Sequence, residues 1–89
     1  MSTLYYQYRQ LQEKYSDCVV LVSLGDFFEV LGDNAKTVAK ELDITLTSRD
    51  CGLDTRVPMC GFPYHLKDKY IAMLVDKGYK IAIVEELTR

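Results

Sequence analysis

The chain opens with apolar residues spaced three and four apart. Leu4, Tyr8, Leu11 and Tyr15 recur along one side, with Gln7, Gln10, Glu13 and Lys14 opposite. That period predicts an amphipathic helix, with Ser2 and Thr3 as candidate caps. Ser16-Asp17 ends it, and CVVLVSL at 18–24 follows as an unbroken apolar, β-branched run. Such a run predicts a strand covered on both faces. Gly25-Asp26 is a tight connection into a second, antiparallel strand from Phe27 to Leu31.

Gly32-Asp33 marks the next turn, with Asp33 as the expected helix cap. Ala35, Val38, Ala39 and Leu42 then follow at i, i+3, i+4 and i+7. Ile44-Thr45-Leu46-Thr47 alternates as a short strand does. Residues 48–56, SRDCGLDTR, read as an exposed loop. Val57 to Cys60 reads as a brief edge strand, because Pro58 cannot donate to a central ladder. Gly61-Phe62-Pro63-Tyr64 reads as a turn. A helix is expected from His65 to Lys77, with Tyr70, Ile71, Leu74 and Val75 inward and Gly78 left-handed at its end. A last apolar strand runs from Tyr79 to Val84. The order α-β-β-α-β-β-α-β predicts an α/β or α+β fold, a mixed β-sheet flanked by about three helices.

Composition narrows the function classes. At 89 residues the chain allows one domain, 1–89, and its 48% hydrophobic content excludes a disordered tail or linker. No apolar run is long enough to span a bilayer. MSTLYYQYRQ lacks the basic and apolar regions of a secretory signal, so a cytoplasmic location is expected. Three cysteines cannot all pair within one chain, and free thiols are expected. Eleven basic and thirteen acidic residues are interspersed, for a net charge of -2. That balance disfavours gripping nucleic acid through a large positive field and leaves room for a small contact patch.

Phe27 and Glu29 are the most informative pair. Alternate strand residues share a face, so these two lie together while Phe28 and Val30 supply the core. A carboxylate prefers water, which predicts exposure of Glu29 and partial exposure of Phe27. An exposed aromatic beside an acid, just after a turn, suits recognition better than stability. The alternative, a helix covering Phe27 while Glu29 escapes at the sheet edge, stays open from pattern alone.

The stretch Pro58 to His65 packs a thiol, a histidine and two prolines together. A Cys60–His65 nucleophile pair or a metal site of Cys51, Cys60 and His65 is conceivable. No CxxC, zinc-like spacing or third catalytic partner accompanies them, and a rigid turn with His65 at a helix start outweighs both. There is no phosphate-binding loop, no GxGxxG fingerprint and no distinctive acid pair. The sequence therefore assigns no catalytic residue, metal or cofactor, and a non-enzyme is expected. Tyr5, Tyr6 and Tyr8 crowd one helix: either a core contact from Tyr8 with two solvent-facing rings, or a surface that packs on another domain.

Several segments in one order resemble a known family. Gly25-Asp26-Phe27-Phe28-Glu29 resembles the GDF-[FY]-E signature of the N-terminal mismatch-recognition domain, domain I, of MutS-type DNA mismatch repair proteins. Asp33 to Lys36 resembles its D-[DN]-A-[KR] helix start. Leu42 to Arg49 resembles its LDI-x-LT-x-R strand, and Pro58 to His65 its PM-[AC]-G-[IVF]-PYH loop. Leu74 to Glu85 resembles LV-x-x-G-x-x-VAI-x-E, so the resemblance covers essentially the whole chain.

The resemblance implies a mixed sheet with surrounding helices. It also implies a phenylalanine, here Phe27, that wedges into the minor groove and stacks on a mispaired or unpaired base, and a glutamate, here Glu29, that hydrogen-bonds to it. Asp26 belongs to the same signature, and Arg49 stands where the family places a phosphate contact. This chain has Ser48 and Asp50 where lysine and glycine often flank that arginine. The resemblance marks Asp26, Phe27, Glu29 and Arg49 as DNA-binding, and double-stranded DNA with a mismatch or distortion as the partner. Full-length relatives add connector, lever, clamp and ATP-binding domains and work as dimers. Those parts, and the end of the recognition domain, are expected in a longer parent protein. The competing expectation is a fold reused as a protein-interaction or accessory module of a larger DNA-processing or mobile-element protein. A thiol enzyme or metal protein is a distant third.

Overall fold

The computed structural model describes residues 2–85. Its elements are α1 (Thr3–Lys14), β1 (Cys18–Leu24), β2 (Phe27–Leu31), α2 (Asp33–Leu42), β3 (Thr47–Arg49), β4 (Val57–Pro63), α3 (Lys67–Asp76) and β5 (Lys80–Val84), with a 3-10 turn at Tyr64–Leu66 before α3. The strands form one mixed sheet in the order β3-β4-β2-β1-β5. β1 and β5 are parallel, and the other three pairings are antiparallel. This is the α+β arrangement that the element order predicts.

β1 is buried on both faces, as its unbroken apolar run requires. One face meets α2 and α3: Val19, Leu21, Phe28, Val30, Cys60 and Phe62 pack against Ala35, Val38, Ala39, Leu42 and Leu74. The other face sets Val20, Val22, Leu24, Leu31 and Val57 under Leu4 and Tyr8 of α1. Ser2 caps α1, its Oγ accepting the Tyr5 N–H at 3.1 Å. Leu4 and Tyr8 carry the buried stripe, while Tyr6 and Tyr15 face solvent. The Tyr8 hydroxyl donates to the Val20 carbonyl at 2.8 Å in the core, and burial pushes its pKa well above the usual phenol range. Tyr8→Phe removes this hydrogen bond and is expected to cost about 1 kcal/mol in denaturant unfolding. An unchanged midpoint would show that the bond adds nothing.

The structure moves several element boundaries, each for a local reason. The strand expected at 44–47 lies instead at Thr47–Arg49. Asp43 adopts φ 54, and the Ile44 N–H returns to the Ala39 carbonyl at 3.0 Å, so Ile44 belongs to the exit of α2 and packs into the core. Pairing begins only at Thr47, opposite Met59. The loop is correspondingly shorter, and Cys51 within it is buried, its carbonyl accepting the Ser2 N–H at 2.8 Å.

β4 is an inner strand rather than an edge, and it runs on through the expected turn to Pro63. Pro58 is tolerated because its carbonyl accepts the Gly32 N–H, just past the end of β2. N–H and C=O of one strand residue point the same way, so the missing donor faces a place where the ladder has already stopped. The N-cap of α2 is Gly32, not Asp33, whose exposed side chain instead meets Lys36 at 3.7 Å. α3 starts at Lys67 because the 3-10 turn takes up Tyr64–Leu66. Leu74 centres its buried stripe, and Val75, about 100° further round, is exposed.

Candidate nucleic-acid interface

Gly25 has φ 62 at the first position of the β1–β2 turn, as a II′ hairpin needs, and Leu24 pairs with Phe27 across it. Asp26 is exposed at the tip, and its carbonyl accepts the Tyr64 N–H at 2.7 Å. Phe27 then stands opposite Pro63 on β4. On the far side of the sheet Phe28 is fully buried, stacked on Tyr64 at 5.1 Å between ring centroids and tilted against Phe62 at 6.0 Å. The backbone under Phe27 is thus held from three sides, while the residue is 41% exposed. No helix covers it. Leu31, on the same face of β2, lies under α1.

Glu29 departs from expectation. It shares that face but is only 8% exposed, rather than lying in water. The reason is Arg49, whose Nη2 donates to both carboxylate oxygens at 3.1 and 3.2 Å. A buried carboxylate persists only when paired in this way. Directly opposite Glu29 is Gly61 of β4. A β-carbon there would lie 2.6 Å from the Phe28 carbonyl oxygen and 3.3 Å from Glu29 Cγ. Sequence reading made Gly61 a turn residue, yet it is a close-approach residue. The available signal was a glycine among apolar strand-like neighbours. Above the pair opens a groove of about 440 Å³ lined by Ser2, Thr3, Leu4, Leu24, Gly25, Glu29, Arg49 and Asp50. Arg56, which sequence reading did not single out, is braced on β3, its Nε donating to Ser48 Oγ at 2.7 Å and its Nη2 to the Ser48 carbonyl at 2.9 Å.

The other candidates do not assemble. Cys60 is sealed in the core, where burial pushes its thiol up to about 11, while His65 is exposed on the 3-10 turn. A thiol held protonated and out of solvent is not a poised nucleophile. Among the described residues no group of three His, Cys, Asp or Glu side chains is placed to hold a metal ion. All three cysteines are free, with Cys51 and Cys60 buried and Cys18 half-buried. A thiol reagent at mildly alkaline pH should therefore modify Cys18 alone in the native chain and all three in denaturant. Rapid native labelling of Cys60 would contradict this packing.

The family model described as MutS domain I matches residues 2–89. This chain belongs to the MutS domain I family. The proteins named DNA mismatch repair protein MutS of Ruminiclostridium cellulolyticum, Clostridium tetani and Acetivibrio thermocellus are similar to it, at 53%, 54% and 51% identity over 81 residues. Each alignment covers 91% of this chain and 9% of the relative, so the chain spans about a tenth of the length of the curated relatives it matches. Its mixed sheet of five strands with three helices is consistent with MutS domain I. Among the described residues no helix is long and apolar enough to cross a membrane.

Proposed function

We propose that this chain is a DNA-probing module that recognises mismatched, bulged or otherwise deformable duplex by inserting Phe27 at the weak step. Glu29 accepts a hydrogen bond from the disturbed base, with Asp26 at the hairpin tip and Arg49 at the flanking backbone. The observation that carries this reading is Phe27, a residue 41% exposed on a backbone clamped by Pro63, Tyr64 and Phe28. A wedge must not yield when it is pushed between bases, and a rigid mount supplies that resistance. A mismatch lowers the cost of unstacking and kinking, so an aromatic wedge selects the sites that deform most cheaply.

The chain assigns no catalytic step to itself. Mismatch repair is the work named for its longer relatives, and ATP use belongs to a parent protein. Those relatives are bacterial, their DNA lies in the cytoplasm, and this reading puts the chain there. Alone it should bind weakly, because its net charge of -2 supplies little of the phosphate attraction behind most DNA affinity. A second reading, an accessory or interaction module, is favoured by one observation: Val75 and Ile83 are each about half exposed on α3 and the edge strand β5. Titrating G·T, single-base-bulge and matched duplexes separates the two. Preference for the distorted duplexes supports the probe, and equal or absent binding supports the interaction module.

A further inference from the structure

Glu29 and Arg49 hold each other in a geometry that leaves the arginine incompletely paired. One nitrogen, Nη2, serves both carboxylate oxygens. A guanidinium carries several N–H donors and meets a carboxylate best through parallel bonds from two nitrogens. Here Arg49 Nε is buried and has no hydrogen-bond partner among the described residues. Burial is also lopsided, the Glu29 side chain being 10% exposed and that of Arg49 36%. The Arg49 side chain is thus the more open partner in the groove that both line with Ser2, Thr3, Gly25 and Asp50, while the carboxylate is largely sealed.

We propose that this pair is an exchangeable latch. In the free chain Arg49 masks Glu29. On distorted DNA a backbone phosphate takes Arg49, and the released carboxylate turns to a base on the face that also carries Phe27. This rests on the DNA-probing reading above. Separating the pair strands a buried carboxylate, so opening is favourable only when both ends find new partners. A phosphate is available on any duplex. A base donor not already committed to its complement is available only at a disturbed step. The latch thus stays shut on sound DNA and opens on a defect, which makes discrimination a property of the pair rather than of either residue.

The test uses the chain itself, isotopically labelled, with short G·T, bulged and matched duplexes. The Arg49 Nε–H signal, assigned by its loss in Arg49→Gln, should move on saturation with the distorted duplexes and stay in place with the matched one. Glu29→Gln should strengthen binding to matched duplex several-fold and steepen its salt dependence by about one phosphate contact, a slope change near 0.9. That gain should shrink in the Glu29→Gln, Arg49→Gln double variant. A gain that is unchanged or larger there indicates simple repulsion by Glu29 and overturns the latch. An Arg49 signal that no duplex moves also overturns it, and this arm needs no substituted protein if Arg49→Gln fails to fold, because resonance assignment can then follow the backbone. A distorted-duplex preference lost in Phe27→Ala, with the Arg49 signal unmoved, keeps the probe and removes the latch. No preference for distorted duplex removes both.

Discussion

Phe27→Ala is expected to abolish the preference of this chain for bulged or mismatched duplex while leaving its fold intact. The residue is 41% exposed, and its neighbours are fixed by the Phe27–Pro63 pairing and the Asp26–Tyr64 hydrogen bond rather than by its own packing. More than half of the residue is nonetheless buried, so unfolding free energy should fall by about 1 kcal/mol, too little to undo the fold. Affinity for bulged duplex should fall by about 1–3 kcal/mol, the contribution of one base–aromatic stack. Matched duplex, which offers no open step, should bind both proteins alike. Phe27→Tyr keeps a stacking face and should retain most of the preference. Phe27→Leu keeps an apolar wedge without the π-surface and should fall between. Anisotropy titrations of the three variants read this order, and a preference unaltered by Phe27→Ala would end the wedge interpretation.

Gly61→Ala is expected to be the most damaging single-methyl change for stability among the positions described above. The new β-carbon would sit 2.6 Å from a backbone oxygen of β2, at a distance that no rotamer change relieves. Gly61 pairs with Glu29 in the middle of the β2–β4 ladder, so the two strands must separate there. A forced shift of this kind costs about 1–3 kcal/mol, occasionally more. Because the same ladder positions Phe27 and Glu29, discrimination between duplexes should weaken along with the denaturant midpoint. Amide exchange should rise at Phe28 and Phe62, on either side of the clash. A midpoint equal to that of the unaltered chain would mean that the ladder accommodates a side chain at this point.

Much of the architecture was legible in the chain itself. The helical stripe at Leu4 and Tyr8, the buried run of β1 and the glycine ending α3 each depend on residues within a few positions of one another, and the structure places all of them as the spacing predicts. Pro58 suggested an edge strand because the proline rule concerns donors, and nothing local says that the ladder with β2 has already ended beside it. Ile44 looked like a strand residue because its side chain alternates correctly, while its N–H was already committed to the exit of α2.

The candidate site divides in the same way. Strand alternation puts Phe27 on the opposite side of β2 from Phe28, because alternation is a property of the backbone. That this side is open at Phe27 is visible only in the structure. The environment of Glu29 was not announced. Its partner Arg49 lies 20 residues away on β3, and the sheet order β3-β4-β2 puts a whole strand between them. The amino-acid sequence by itself determined the type and order of the strands and helices and which side of β2 each residue takes, since those follow from periods of two and 3.6 residues. Only the tertiary structure decided that Glu29 is buried and paired and that Gly61 must stay bare. Those outcomes depend on which strands become neighbours, and that is set by the packing of the whole sheet between its helices.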